Sequence, residues 1–258
     1  TLAAVAAAKE GLVTWTNTPA PARANIIYKA LEILGRRAEE LAETITIEEG
    51  KPIADARGEV KRAMAIMEYA AGEGRRMFGY TTPSESPDTV AYTVRRPLGV
   101  VGIITPWNFP LAIPAWKIAP ALICGNALVF KPASATPLSA VKLMEIFEEA
   151  GLPAGVLNLV TGPGGQVGTA LVESPDVKGI SFTGSTEIGT ELYSESAKRL
   201  NCVVGRQECR DRSVRRRHGQ GYERDCSGSL WFHRPTMHCH QPRDRGRRCL
   251  RPVYDGAY

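Results

Sequence analysis

Before residue 200 this 258-residue sequence holds one cysteine, Cys124, and no histidine. That scarcity excludes a disulfide framework or a histidine-rich metal centre there and suits a reducing, cytoplasmic compartment. A run of roughly 20 apolar residues, the length that crosses a bilayer, occurs nowhere. Residues 1–8 are alanine-rich but lack the basic n-region of a signal peptide. A start at Thr1 without Met is expected of a fragment or a processed product. The GxGxxG fingerprint is absent too, which argues against an ordinary dinucleotide fold. After residue 200 the scarcities reverse. There the chain has no Lys and no Ile, but all four His and five of the six Cys. The net charge of +5 therefore conceals a net of −2 over residues 1–200 and +7 over residues 201–258.

What is present in the first 200 residues is periodic. Residues 22–49 carry Ile26, Ile27, Ala30, Leu31, Leu34, Ala38, Leu41 and Ile45 at amphipathic-helix spacing, and residues 59–77 repeat the pattern with Met64, Ile66, Met67 and Ala70. Residues 81–88 (TTPSESPD) read as a polar linker, and residues 90–96 alternate as a half-exposed strand. From Leu98 short apolar strands alternate with helices. Strands are expected at 100–104, 127–130, 156–160 and 179–182. Helices are expected at 111–124, at 137–150 with Thr136 as N-cap, and at 186–200. This rhythm implies an α/β fold with a parallel sheet and helices on both faces. The carboxyl ends of its strands would form the ligand crevice. Four segments result: an N-terminal helical part at 1–80, a linker and arm at 81–98, a nucleotide-binding core at 99–200, and an atypical tail at 201–258.

Three motifs sit at strand ends: TPWNFP at 105–110, FKPAS at 130–134 and FTGSTEIG at 182–189. Asn108 follows a buried strand, where its amide could stabilise an oxyanion or merely satisfy the turn backbone. Lys131 places an ammonium at the crevice or a solvated cation at a strand end. Gly184 and Ser185 open a helix whose first N–H groups suit a pyrophosphate, with Ser185 free to cap the helix as well. Gly162, Gly164, Gly165 and Gly168 make a second glycine-rich turn. Cys124, at an apolar helix end, reads as a core residue rather than a nucleophile.

In order and spacing the three motifs resemble the cofactor domain of the aldehyde dehydrogenase superfamily, over residues up to about Leu200. The resemblance implies a Rossmann-like sheet, an NAD or NADP cofactor, a small aldehyde substrate, and a homo-oligomer (dimer or tetramer) assembled through the arm. It implies no nucleic-acid or membrane partner. By resemblance Asn108 is the oxyanion donor and Lys131 holds the adenosine ribose. The cofactor site then takes in Ile104, Thr105, Pro106, Trp107, Lys131, Ser134, Gly164, Gly168, Phe182, Gly184, Ser185, Thr186, Glu187, Ile188 and Gly189. Ser134 stands where many NAD-specific members carry a Glu. A carboxylate there would repel the extra phosphate of NADP and a hydroxyl would not, so dual use or an NADP preference is expected. The implied reaction oxidises an aldehyde to a carboxylate through a cysteine thiohemiacetal, with a Glu-activated water releasing the acid. Residues 136–162 look most like members acting on dicarboxylic semialdehydes.

The family continues with a Glu-Leu-Gly-Gly-Lys segment carrying the general base and a Gly-Gln-x-Cys segment carrying the nucleophile. Neither stands in residues 201–258, whose composition reads as disordered. Codon arithmetic offers a reason. Read one base later, Trp231–Phe232 must give glycine and Met237–His238 must give cysteine, and the codons between permit Ser-Thr-Gly-Gln-Arg. The tail is thus expected to be a frameshifted translation that leaves the catalytic domain missing and the chain inactive. The alternative is a truncated product that binds nucleotide or pairs with other subunits without turnover. Cys202, Cys209, Cys226, His233, His238, Cys239, His240 and Cys249 show no CxxC or HxxxH spacing for zinc. Arg215, Arg216, Arg217, Arg247 and Arg248 lack the aromatic interleaving of a nucleic-acid module.

Overall fold

The computed structural model describes residues 1–199 and 202–203, all within the first of two units, Thr1–His218. Four helices come first: α1 (Leu2–Asn17), α2 (Ala20–Arg36), α3 (Ala38–Glu49) and α4 (Ile53–Glu73). In α1, Val5, Ala8, Gly11 and Trp15 form a buried stripe at helical spacing. Trp15 is fully buried and donates its indole N–H to Leu122 O at 2.9 Å. Gly11 is required by close approach, since a Cβ there would lie 2.5 Å from the Gly155 backbone.

The single amphipathic helix expected over residues 22–49 is two helices. Arg37, at φ −97° and ψ 16°, breaks it. Its guanidinium is held by Glu40 at 2.8 Å and Glu145 at 2.7 Å, which fixes the corner against the later helix carrying Glu145. Because the apolar phase runs through the corner unbroken, periodicity alone could not show it. The second expected helix starts earlier, after Pro52. It ends at Glu73, where Gly72 and Gly74 weaken helix propensity.

β1 (Thr81–Thr82) and β2 (Ala91–Tyr92) form a two-stranded antiparallel ribbon with Thr81 opposite Tyr92. This corrects two expectations: the linker opens with a strand, and the strand expected at 90–96 is only two residues long. Val90, Tyr92 and Val94 are exposed, so their alternation has no core behind it.

The main sheet contains β3 (Val100–Ile104), β4 (Ala127–Lys131), β5 (Leu157–Leu159), β6 (Val177–Phe182) and β7 (Cys202–Val203), all parallel, in the order β5-β4-β3-β6-β7. Every residue of β3 and β4 is buried, the condition that produces uninterrupted apolar runs in central parallel strands. β7 carries the sheet to Val203. The remainder of residues 201–258, with the expected disordered tail, lies outside the described residues.

The connecting helices are α5 (Ala112–Ile123), α6 (Pro137–Glu149), α7 (Gly164–Glu173) and α8 (Thr186–Lys198). Val5 and Ala8 of α1, Val167 and Leu171 of α7, and Leu192 of α8 pack with Val100, Ile104, Val129, Ile180 and Phe182 in one cluster on one sheet face. Helices α5 and α6 contact the strands on the opposite side of the alternating pattern. The chain runs outward from β3 to β5 and then returns to the other side of β3 at β6. The strand order thus reverses between β3 and β6, the position where open α/β sheets form their ligand crevice.

Candidate functional site

All three motifs emerge at this end of the sheet. Thr183 N–H bonds Ile104 O at 3.0 Å and Thr105 N–H bonds Lys131 O at 3.2 Å, tying the three strand exits together. Beyond Ile104 the chain turns through half-buried Pro106 and exposed Trp107. Asn108 makes no side-chain hydrogen bond among the described residues, and its Oδ1 is buried without a partner. Of the two readings of Asn108, turn satisfaction by its side chain is thereby removed. An uncommitted amide remains, at a place where a ligand could use it.

What holds that turn was not legible as function in the motifs. Lys51 Nζ donates to Asn108 O at 2.9 Å and pairs with Glu59 at 2.5 Å and Glu49 at 3.1 Å. It also lies 4.2 Å from the centroid of the Phe109 ring. Glu59, 2 % exposed, accepts from the Leu111 and Ala112 N–H groups through Oε1 at 2.9 and 3.0 Å. A carboxylate thus caps the start of α5, whose unpaired N–H groups and dipole favour a negative charge. The sequence did hold a signal: Glu59 occupies the buried stripe Ala56–Glu59–Val60–Ala63 of α4, where an acid needs a partner. Glu49 is itself pushed above the ordinary carboxylate range by burial, against the opposing effect of Lys51.

A second carboxylate does the same for α6. Thr136 occupies the N-cap position, but its side chain makes no capping bond and its Oγ1 is buried unpartnered. Instead Glu48 accepts from the Leu138 N–H, the Ser139 N–H at 3.0 Å and the Ser139 hydroxyl at 2.6 Å. This corrects the local cap expected from the sequence.

Lys131 is 4 % exposed, not a solvated strand-end cation, and donates to Pro132 O at 2.6 Å. Burial lowers its pKa. Ser134 donates to Gly162 O at 3.1 Å, joining the loops after β4 and β5. Between them lies a cavity of about 310 Å³ lined by Pro132, Ala133, Ser134, Pro137, Thr161 and Gly162, within the range of small-ligand clefts. The glycine-rich turn is shorter than expected. Gly162, at φ +148°, ends it, while Gly164, Gly165 and Gly168 lie inside α7.

At the end of β6, a Cβ on Gly184 would lie 2.5 Å from the Phe182 ring, and one on Gly189 would lie 3.2 Å from it. The two glycines therefore admit the Phe182 ring under the first turn of α8. Ser185 is the N-cap residue without a side-chain capping bond. Ser185, Thr186, Glu187 and Ile188 are exposed, so the first N–H groups of α8 have an open approach. Below the crevice Lys117, 8 % exposed, donates to Ser181 Oγ at 2.9 Å, and burial holds its pKa down at about 8. Its signal was a lone Lys within the apolar run of α5. Cys124 is half-buried and flanked by Arg23 and Arg95, yet burial as the larger influence raises its thiol pKa.

Residues 1–206 match the model of the Aldehyde dehydrogenase family. The chain belongs to this family. It is 50 % identical over 186 residues to alpha-ketoglutaric semialdehyde dehydrogenase of Bacillus subtilis (strain 168), covering 72 % of this chain and 38 % of the relative. It is 48 % identical over 179 residues to 2,5-dioxopentanoate dehydrogenase of Saccharolobus solfataricus, covering 69 % and 37 %. Among solved structures, an NADP-dependent enzyme of E. coli superposes with TM-score 0.78 at 42 % identity, covering 80 % of this chain and 43 % of that one. PnpE in complex with nicotinamide adenine dinucleotide superposes with TM-score 0.76 at 39 % identity, covering 78 % and 42 %. The chain spans about two fifths of the length of the curated relatives it matches. No helix among the described residues is long and apolar enough to cross a membrane.

Proposed function

We propose that this chain is the cofactor-binding part of a cytoplasmic NAD(P)-dependent dehydrogenase that oxidises a dicarboxylic semialdehyde. The observation that carries this reading is the free Asn108 side chain after β3, at the same sheet end as the cavity at Ser134 and the open N-terminus of α8. The residues present fit a dinucleotide. Lys131 and Ser134 would take the ribose, the cavity walls of Pro132, Pro137 and Thr161 the adenine, and the α8 N–H groups the pyrophosphate. A bound dinucleotide would supply the hydride acceptor. Asn108 would hold the oxygen of the attacked aldehyde, where loss of one such donor costs about 3–4 kcal/mol of transition-state stabilisation.

Ser134 supports use of NADP as well as NAD, because it brings a neutral hydroxyl where a carboxylate would repel a ribose phosphate. No residue of the written sequence takes the place of the nucleophilic cysteine or the general-base glutamate, so the chain as written is expected to be inactive. The codon arithmetic at Trp231 and Met237 supports a shifted reading frame as the origin. Resequencing codons 200–258 tests this, and an uninterrupted frame in independent clones would refute it.

Calorimetric titration of the chain with NAD and NADP tests the cofactor reading. Saturable binding of both is expected, and binding of neither overturns it. A second reading, a subunit-pairing product without turnover, is favoured by the apolar side chains Phe78, Tyr80, Val90, Tyr92, Val94 and Leu98, all exposed on or near the β1–β2 ribbon. Sedimentation would show self-association that Tyr92→Lys and Val94→Lys weaken.

A further inference from the structure

We infer that Lys51 is the positioning residue of the oxyanion donor: its ammonium holds the Asn108 carbonyl and so aims the Asn108 amide. This inference rests on the reading of Asn108 as that donor. Its origin is the segment Glu49-Gly50-Lys51-Pro52, which lies outside the three strand-end motifs. Gly50 ends α3 in the left-handed region at φ +81° and donates its N–H to Thr46 O at 3.0 Å. Pro52 is the N-cap of α4, and its carbonyl accepts from the Asp55 and Ala56 N–H groups at 2.9 and 3.0 Å. Lys51 is the single residue between these two helix ends, and the proline after it restricts its backbone further. Its side chain therefore leaves from a fixed corner.

Two of the three ammonium donors are committed, one to Glu59 Oε2 at 2.5 Å and one to Asn108 O at 2.9 Å. Glu49 at 3.1 Å and the Phe109 ring at 4.2 Å close in on the rest of the ammonium. From the other side the dependence is complete. The bond from Lys51 is the only hydrogen bond that Asn108 makes among the described residues. Glu59 supplies the frame of reference. Its Oε2 takes Lys51, while its Oε1 takes the Leu111 and Ala112 N–H groups. One carboxylate thus fixes both the ammonium and the helix that follows Asn108. An oxyanion donor must be held within roughly 0.5 Å of its working place. No other hydrogen bond supplies that restraint here. A lysine that merely neutralised Glu59 would not need to reach the Asn108 carbonyl.

The test uses the whole 258-residue chain, labelled with carbon-13 and nitrogen-15. Three-bond couplings to the Asn108 side-chain carbonyl carbon report its χ1 rotamers. Lys51→Met is combined with Glu59→Gln, so that position 59 carries no unpaired charge and keeps an oxygen for the Leu111 and Ala112 N–H groups. Lys51→Arg is the conservative variant. Asn126 and Asn158, whose amides donate to Ala121 O and Leu128 O, are internal controls for general loosening. One Asn108 rotamer is expected in the parent. In the double variant the ratio of other rotamers to that one should rise about tenfold, as the loss of one charged hydrogen bond implies. Asn126 and Asn158 should not move, and Lys51→Arg should keep most of the parent population. Unchanged Asn108 couplings, equal changes at all three asparagines, or averaging already present in the parent overturns the assignment. A second measurement needs no variant. The Lys51 ammonium protons of the parent should exchange slowly enough to be observed, and rapid exchange also overturns it. Calorimetry with NAD separates the two levels. A parent that binds NAD but whose Asn108 ignores the double replacement refutes Lys51 alone, whereas a parent that binds no NAD refutes the cofactor reading.

Discussion

Replacing Lys117 by Met should stabilise this protein at neutral pH and lose that advantage in alkali. Burial is the only resolved influence on the Lys117 ammonium, and it moves the pKa from 10.5 to about 8. Its one partner is a neutral hydroxyl, Ser181 Oγ at 2.9 Å. A shift of this size corresponds to about 3 kcal/mol of folding free energy, at about 1.4 kcal/mol per pKa unit. The sign follows from proton counting. Between about pH 8 and 10.5 the unfolded chain holds the proton and the folded chain has released it, so stability rises with pH across that window. Below about pH 8 both states are protonated and the full penalty applies. Met fills similar space without a charge, but it removes the donor to buried Ser181, a loss of about 1 kcal/mol. The net expectation near pH 7 is a gain of about 2 kcal/mol, or roughly 4–8 °C in melting temperature for a unit of this size. Near pH 10.5 the gain should vanish or reverse. Urea titrations of both proteins at neutral and alkaline pH measure it. The difference between them cancels Cys124, whose raised pKa acts in the opposite direction, and Lys131, whose lowered pKa acts in the same one. A variant less stable than the parent near pH 7, or a difference that does not shrink with pH, would refute the reasoning.

Gly184→Ala drives a Cβ into the buried Phe182 ring, so a loss of about 1–3 kcal/mol in thermal melts is expected, with weaker nucleotide binding. Glu48→Ala removes the acceptor for two N–H groups and a hydroxyl at the start of α6 and should cost about 1–2 kcal/mol in urea unfolding. Glu59→Gln leaves half-buried Lys51 with Glu49 as its remaining carboxylate and should destabilise by about 3 kcal/mol in the same assay. On the cofactor reading proposed above, Ser134→Glu puts a carboxylate beside the ribose and should weaken NADP about tenfold or more in calorimetric titration while sparing NAD.

The parts of the fold legible in the sequence are those set by local rules. The runs 100–104 and 127–130 are central strands because both of their faces are covered, and a chain buried on both faces shows no alternation. What sequence reasoning missed is non-local. The corner at Arg37 depends on Glu145, more than a hundred residues away. Thr136 has the right residue type for a cap, yet Glu48, ninety residues earlier, carries a full charge into the same position. The alternation at 90–96 suggested a buried face, but β2 pairs only with β1, and the sheet core lies elsewhere. At the site, Asn108, Lys131 and Ser134 were legible through their motifs. Lys51, Glu59 and Lys117 were not, because a single charge in a helical pattern does not announce what it touches.

These omissions share a physical cause, which changes how the N-terminal 80 residues are to be understood. They are helical, as their periodicity predicts, but they are more than a cover for the sheet. Two of the four strand-to-helix loops lead into helices, α5 and α6, whose N-termini are held by carboxylates from α4 and α3. The loops into α7 and α8 have no such carboxylate from another helix among the described residues. The first turn of α8 rests on the Phe182 ring and is open at Ser185. A helix start already occupied by a protein carboxylate has spent its electrostatic attraction for anions, whereas an open one retains it. Glu59 and Glu48 thus fill the starts of α5 and α6, whereas α8 keeps an open one. The electrostatic difference between these helix starts is made by Glu48 and Glu59, residues outside every motif.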